Sequence, residues 1–423
     1  MKYNLKFLAL LTLLLTSGLV SKAQFKLTGE YRPLSELRHG YKTLAIEDAE
    51  PAFLISQRAR LNAEFTSTRY KFGLSIQDVR IWGSTVQQNV SDNFTSVHQA
   101  WGEVLINEAW SLKVGRQELT YDDGRLFGNA NWLQQGRSHD LALLKYSAKN
   151  LQGHLGLAFN QDKDQLTGTI YTLNNYKAMQ FLWLHKDFEN LGISLITVNN
   201  GIQYEDPDTS KLDYKVVYSQ TFGARGTMKS GDFNFAAAAY SQIGKDYSNK
   251  DLSAFYLNLE AGYTSKSNLK TALGVEILSG TDLDKMTKDD NNKSFAPLFT
   301  TGHKFNGSMD YFYAGNHLNS VGLNNVYAKI SKKSGKVTIG ADLHGFFSNA
   351  KIISANEEYE NYLGTEIDAW AEYQIEESLI LSGGYSMMFA SDSMKILKKI
   401  TAETGTQYWG WVMLTFKPVF IKG

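Results

Sequence analysis

The sequence predicts an all-β chain that forms a single transmembrane antiparallel β-barrel of about eighteen strands. Three observations lead to this prediction: a basic and then apolar N-terminal segment, an aromatic-rich composition, and apolar/polar alternation along the rest of the chain. Tyr and Phe number 23 each and Gly 35, against 5 Pro, and no apolar run reaches the ~20 residues that a membrane helix needs. A barrel distributes its lipid-facing residues over alternate positions and therefore shows no such run.

The N-terminal segment is typical of a secretory signal peptide. Lys2 and Lys6 form its basic start, an apolar run follows at 7–15, and Ser21 and Ala23 place small residues before the expected cleavage site. The chain has no Cys, which excludes both a lipid anchor at that site and disulfide bonds.

The predicted organisation is a cleaved signal peptide at 1–23 and one outer-membrane barrel at 24–423. Lys and Arg together number 43, as do Asp and Glu. Because the signal segment holds three lysines and no acid, the remaining chain is slightly acidic. A nucleic-acid-binding surface needs a basic excess, so nucleic acid is not an expected partner.

The alternation is clearest at 53–65. One set of alternate positions is apolar and includes Phe53 and Leu61. The opposite set includes Arg58 and Arg60. Successive side chains of a strand point to opposite faces, so this segment has an apolar face and a charged face. Further segments with this alternation lie at 25–31, 70–77, 110–118, 151–159, 231–242, 255–263, 269–277, 323–330 and 363–373.

The connectors predict two different rims. Tight turns are expected at 149–150, 189–190 and 229–232, and long polar loops at 121–138, 200–211, 280–320 and 349–361. Short periplasmic turns and long extracellular loops are the bacterial outer-membrane pattern. A soluble β-sandwich or β-helix is the structural alternative, since soluble antiparallel sheets also alternate, but a sandwich would not confine its long loops to one side. Only 392–400 has helical spacing.

Two aromatic patterns carry further predictions. The first is a set at segment ends that predicts membrane-interface girdles: Trp82, Trp101, Trp110, Trp183, Tyr408, Trp409 and Trp411. The second is an apolar cluster within the loop 280–320, comprising Phe295, Pro297, Leu298 and Phe299. Such residues have no reason to face water, so this part of the loop is expected to fold into or over the channel.

Four segments resemble the alginate export family, whose members are outer-membrane barrels of eighteen strands. They are RQELTYDDGRLFGNANWLQQGRSHDLALLKY at 116–146, FAPLFTTGHKFNGSMDYFY at 295–313, GVEILSGTD at 274–282 and LGTEID at 363–368. The resemblance implies passive export of an anionic polysaccharide through an electropositive channel. It also implies pore positions for Arg116, in the GRQ turn, and for Arg137, in the QQGR element.

The candidate channel residues form two sets. The basic set comprises Arg58, Arg60, Lys71, Lys113, Arg116, Arg125 and Arg137. Guanidinium groups stay charged and bind carboxylates through two hydrogen bonds, so a lumen lined with them would attract an anionic chain. The alternative is that they brace the barrel interior by pairing with Asp122, Asp123 and Asp140.

The acidic set belongs to the second half of the chain and comprises Glu260, Glu276, Asp342, Glu366, Asp368 and Glu372. These residues are expected to line the opposite wall of the lumen. They depart from a uniformly electropositive channel and oppose the field of the basic set.

Other chemistry is not supported. Asp122–Asp123 and Asp289–Asp290 are neighbouring carboxylates on loops, whereas glycoside hydrolysis needs two carboxylates across the sugar. The run 282–293 lacks the glycine and the final glutamate of a calcium loop, and the His spacing fits no zinc site. We therefore expect no enzyme activity, no metal and no cofactor.

The sequence predicts a pore in the bacterial outer membrane, surrounded by lipid and lipopolysaccharide. One interpretation is a conduit for a polysaccharide or oligosaccharide, with an anionic polysaccharide as substrate and periplasmic export proteins as partners. A second is a general diffusion porin for small polar solutes. A barrel enzyme or adhesin is the third.

Overall fold

The computed structural model describes most of the chain. The described residues are 24–89, 91–171, 173, 175–205, 214–288 and 291–423. The predicted signal peptide lies outside them, and so does the pair Asp289–Asp290.

Eighteen antiparallel strands form the wall of a closed barrel. They are β1 (Gln24–His39), β2 (Ala52–Thr66), β3 (Tyr70–Ile81), β4 (Thr95–Leu105), β5 (Trp110–Gln117), β6 (His139–Ala148), β7 (Leu151–Phe159), β8 (Ala178–Asp187), β9 (Leu191–Glu205), β10 (Tyr214–Ser230), β11 (Phe233–Lys245), β12 (Asp251–Thr264), β13 (Leu269–Leu278), β14 (Leu323–Ser334), β15 (Val337–Phe347), β16 (Tyr362–Glu376), β17 (Leu379–Ala390) and β18 (Gln407–Phe416).

The barrel closes where its last strand meets its first. β18 pairs with β1 in a register that places Leu34 opposite Met413. A short strand, Val419–Lys422, continues the pairing along β1. Open strand edges cannot lie in hydrocarbon, so closure is what allows this sheet to span a membrane. Among the described residues, no helix is long and apolar enough to cross a membrane.

The two faces of the wall follow the sequence alternation. On β12, Phe255, Leu257 and Leu259 point outward, and Leu257 is 43% exposed. Tyr256, between them, is 1% exposed and points inward. The prediction for 255–263 is therefore confirmed, because side chains along a strand alternate between its faces.

The connectors also follow the prediction. Turns of two to four residues join the strands at one rim, as at 149–150, and the longer loops lie at the other rim. By the usual outer-membrane arrangement, the turn rim is periplasmic and the loop rim extracellular. A short helix, Asp392–Leu397, lies in the last loop, where the Ser391 side chain accepts a hydrogen bond from the backbone N–H of Met394. The predicted loop 200–211 was wrong for 200–205, because β9 continues to Glu205, and 206–211 lie outside the described residues.

Smaller elements lie within the loops of the loop rim. They are a hairpin of Ile352–Ser354 with Glu357–Tyr359, a strand Asn291–Asn292 parallel to β12, and 3-10 turns at Gly302–Lys304 and Ala314–Asn316.

Two loops turn into the barrel and pack against its inner wall. We call 118–138 the first in-turned loop and the described residues of 279–322 the second in-turned loop. They contact the inner wall on several sides: Asn131 binds β1, Asp122 binds β8, and Phe295 packs against β12. The two loops also meet each other, since the rings of Phe127 and Phe299 lie 5.2 Å apart.

The apolar residues of these loops form a core inside the barrel. Phe127, Met309 and Tyr311 are fully buried, and Phe295 is nearly so. The expectation that the Phe295 region folds into the channel agrees with this arrangement. The first in-turned loop was expected only as a long loop at the rim, and its position inside the lumen is a finding of the structure.

The aromatic girdle prediction was partly wrong. Trp82 and Trp110 are exposed on the outer surface, and Tyr408 also lies on the outward face of its strand. Four of the predicted girdle residues point inward instead: Trp101, Trp183, Trp409 and Trp411. Their parity along the strands, rather than their position near strand ends, determines the face on which they lie.

Candidate functional site

The candidate site is the barrel interior, and its first feature is an arginine clamp on the first in-turned loop. Arg32 Nη1 donates to the carbonyl of Asn131 at 2.8 Å. Arg58 Nη1 donates to the carbonyl of Gln134 at 3.1 Å, and Arg58 also pairs with Glu30. Arg58 is completely buried. These guanidinium groups donate hydrogen bonds to loop carbonyls, so they position the segment 131–135.

Arg60 extends the clamp by one position on the same inner face of β2. Its Nη2 donates to the Gln77 side chain at 2.6 Å, and Gln77 in turn donates to the carbonyl of Gln135 at 2.9 Å. Arg60 also lies 3.8 Å from Glu118, at the start of the first in-turned loop. Both predicted arginines of β2 therefore lie inside the barrel, where they brace the loop.

A buried ion pair links both loops to the wall. Arg125, on the first in-turned loop, pairs with Glu276 of β13, and both side chains are 2% exposed. Tyr256 donates to Glu276 at 2.7 Å. Asn306, on the second in-turned loop, donates to Glu276 and accepts from Arg125 Nη1 at 3.3 Å. This group connects three separate parts of the chain.

Arg137 joins the two in-turned loops directly. Its Nη1 donates to the carbonyl of Thr300 at 2.8 Å and to that of Gly128 at 3.3 Å. Burial lowers the pKa of Arg137 from its ordinary value. Like the clamp arginines, Arg137 was predicted as a pore residue, and in the structure its guanidinium group binds loop backbone.

The neighbouring acids of the first in-turned loop have separate partners. Asp122 accepts from the indole N–H of Trp183 at 3.3 Å, and burial raises the pKa of Asp122. Asp123 pairs with Arg225 at 3.1 Å. Their side chains thus face different groups. Within the described part of the chain, no three His, Cys, Asp or Glu side chains are grouped so as to hold a metal ion.

Arg116 lies on the outer surface, contrary to its expected position in the lumen. It shares the outward face of β5 with Leu112 and Val114, both exposed. Its Nη2 pairs with Asp140 of β6 at 2.8 Å, and the two side chains are 45% and 54% exposed. Arg116 is therefore not a channel-lining residue.

Toward the turn rim the inner wall carries three lysines, which we call the lysine cluster: Lys71, Lys113 and Lys145. Lys145 pairs with Glu103 at 2.5 Å, and Lys113 Nζ lies 3.8 Å from the centroid of the Trp101 ring. All three retain partial exposure, unlike the clamp arginines. Lys145 was not predicted, although its parity with the inward Leu141 and Leu143 of β6 would have indicated it.

The acidic set lies on inner faces of the later strands. Glu260 of β12 accepts from the Tyr327 hydroxyl at 2.8 Å. Glu366 and Asp368 of β16 are buried, and Glu366 accepts from the backbone N–H of Met309 at 2.8 Å. Ionisable groups inside the barrel are thus segregated: lysines and arginines are concentrated on β1 to β6, whereas β16 carries carboxyl groups that form no ion pair with a described residue.

At the loop rim a cavity of about 380 Å³ lies between the ends of β1 to β3 and the clamped segment 131–135; we call it the vestibule. Its lining combines aromatic, basic and amide side chains, among them Tyr41, Trp132, Arg38, Lys42 and Gln134. Arg38 is held by three hydrogen bonds to Glu36. Cavities of this size, with an apolar lining and a few polar groups, suit small organic ligands.

Comparison with known proteins gives one family and one set of similar folds. The family model described as alginate export matches residues 25–329. Among solved structures, Pseudomonas aeruginosa OpdL is similar with a TM-score of 0.62 and 11% identity, covering 94% of this chain and 99% of that one. Acinetobacter baumannii OccAB4 gives a TM-score of 0.61 and 11% identity, with 94% and 98% covered.

A third similar structure is Pseudomonas aeruginosa OpdK with vanillate, with a TM-score of 0.57, 10% identity, and 94% and 99% of the two chains covered. At these identities the similarity establishes the barrel fold. No curated protein matches the chain in sequence.

Proposed function

Since this chain belongs to the alginate export family, we propose that it passes an oligosaccharide or polysaccharide, with acidic sugars as the substrate class, passively across the outer membrane. The protein is an outer-membrane channel. The family match carries this proposal, because it includes the first in-turned loop and the strands of the lysine cluster.

The charge distribution supports an acidic substrate. Lys71 and Lys113 are the members of the basic set that stay partly exposed on the inner wall, and Lys145 completes the lysine cluster beside them. Ammonium groups in a narrow, low-dielectric channel raise the local concentration of anions. A chain that enters from the turn rim would meet these lysines before it reached the in-turned loops.

The vestibule supports a sugar as the permeating group. A sugar ring presents apolar C–H faces and polar hydroxyl edges, and the vestibule lining offers aromatic rings beside amide and charged groups. On this proposal the substrate leaves through the vestibule, and periplasmic export proteins would deliver it at the turn rim.

The second candidate function is a general porin for small polar solutes. The dense packing of the in-turned loops favours it, because Phe127, Met309 and Tyr311 are fully buried inside the barrel. The arginines that would guide a polyanion are used to hold loop backbone. A narrow lumen of this kind passes small solutes without needing a polymer path.

Release from lipid vesicles distinguishes the two functions. Vesicles containing the full chain are loaded with acidic or neutral oligosaccharides of matched length, and their release is compared. We expect faster release of the acidic species and a smaller difference in the Lys71→Gln/Lys113→Gln variant. Arg116→Gln, on the outer surface, is the matched control and should behave like the wild type. If vesicles loaded with a small polar solute released it while neither oligosaccharide was released, the result would favour the porin and contradict saccharide passage.

A further inference from the structure

Two carboxyl groups on β16 lie in an unusual environment. Glu366 and Asp368 are two residues apart and therefore share the inner face of the strand. They are 0% and 3% exposed, and each carboxyl group lies in the electrostatic field of the other. Within the described part of the chain, neither Glu366 Oε2 nor either carboxyl oxygen of Asp368 has a hydrogen bond of normal geometry. We call these two residues the carboxyl pair.

The charges that face the carboxyl pair do not neutralise it. Asp342 and His344 approach from β15, where they lie opposite Asp368 and Glu366 in the strand register. Lys329 of β14 lies opposite Asp342. Asp310 approaches from the second in-turned loop. Among the described residues, neither member of the carboxyl pair forms an ion pair with Lys, Arg or His.

The second in-turned loop sits directly on the carboxyl pair. The backbone N–H of Met309 donates to Glu366 at 2.8 Å, and Met309 is fully buried. Gly307 allows this approach: its φ is +78°, and a Cβ atom there would lie 2.6 Å from the Glu366 carboxyl. Ser308, between these residues, lies beside Asp368. Any change in the charge of the pair therefore acts on this stretch of loop.

Two adjacent carboxyl groups that are buried and have no cationic partner cannot both remain ionised. Burial of an unpaired charge is costly, and two like charges in contact oppose each other's ionisation. A single proton held between the two groups removes one charge and supplies a donor for an otherwise unpaired oxygen.

We propose that the carboxyl pair binds one proton between Glu366 and Asp368 and acts as a pH-sensitive latch for the second in-turned loop. With the proton bound, Glu366 remains at the wall and accepts from Met309. When the proton leaves, the two carboxylates repel each other and draw water, and the contact with Met309 is lost. The loop then lifts from the wall and the channel widens. This latch does not depend on which solute the channel passes.

Conductance in planar bilayers tests the latch with simple salt as the probe. The pH on both sides is raised from about 6 to about 9, a range that includes documented titrations of buried carboxyl groups. We expect the wild-type conductance to rise with pH. Because one proton is linked, the ratio of released to held loop changes by at most about tenfold per pH unit.

The isosteric variants Glu366→Gln and Asp368→Asn remove the titration. Each variant should give a conductance that stays nearly constant over the same pH range. The shifted mobility of the unheated barrel on gels verifies that each variant folds. Lys398 also titrates in this range, because burial lowers its pKa to about 8, and it is unchanged in both variants. A wild-type conductance that is independent of pH, or a rise that survives in both variants, would overturn the latch.

Discussion

Replacement of Arg125 by Met tests the link between the in-turned loops and the barrel wall. Arg125 and Glu276 form an ion pair in which each side chain is 2% exposed. Asn306 and Tyr256 complete the hydrogen bonds of the pair. Arg125→Met leaves the Glu276 carboxylate buried without its cation. Loss of one partner from a buried pair costs about 3–5 kcal/mol, because the remaining charge stays desolvated.

The second variant, Glu276→Gln, shows how much of that cost comes from the unpaired charge. In the double variant Arg125→Met/Glu276→Gln no charge is left buried, so most of the loss should be recovered. The coupling free energy between the two positions should reach about 1.5–3 kcal/mol, the upper part of the range for residues in one ion-pair network.

The assay is urea unfolding of the barrel in lipid vesicles, followed by tryptophan fluorescence, with single-channel conductance as a second measurement. We expect Arg125→Met either to lower the unfolding free energy by the amount above or to release the loops and raise the conductance. If the single variant matched the wild type in both measurements, and the coupling stayed below about 0.5 kcal/mol, the reasoning would be refuted.

Three further predictions concern the wall, the loops and the lumen. Leu257→Arg, on the outward face, should destabilise the vesicle-embedded barrel by about 2–4 kcal/mol if the residue lies near mid-bilayer. The control Asn258→Arg, on the inward face, should lower the free energy of unfolding by less in the same urea titration. Deletion of 290–305 should raise the single-channel conductance, and an unchanged value would place the second in-turned loop outside the conduction path. Lys71→Glu with Lys113→Glu should shift the reversal potential in a salt gradient toward cation selectivity, and no shift would remove the lysine cluster from that path.

The strands were predictable because the membrane imposes a simple rule on them. Lipid on one side and polar lumen on the other force apolar and polar residues to alternate, and β7 at Leu151–Phe159 has the predicted bounds. The same rule, applied strictly, would also have placed Arg116 and Trp183. Arg116 has the parity of the lipid-facing Leu112, and Trp183 has the parity of the buried Phe181.

The interior was less predictable because it depends on contacts between distant parts of the chain. The apolar cluster at Phe295 indicated that the second in-turned loop packs, and Leu126 and Phe127 offered the same signal in the first. That Arg58 binds the carbonyl of Gln134 is a tertiary fact with no local signature. Inward parity predicted the position of this guanidinium group, whereas its role as a brace follows from the loop that reaches it.

Single-channel current with an acidic oligosaccharide on one side tests the central claim most directly. Each molecule that enters the lumen interrupts the salt current, and the duration of the interruption reports whether the molecule passes or returns. If this protein passes acidic saccharides, the interruptions should become shorter as the driving voltage rises, because the field pulls the molecule through. Interruptions that lengthen with voltage would mean that the saccharide only blocks the channel, and their complete absence would mean that it does not enter.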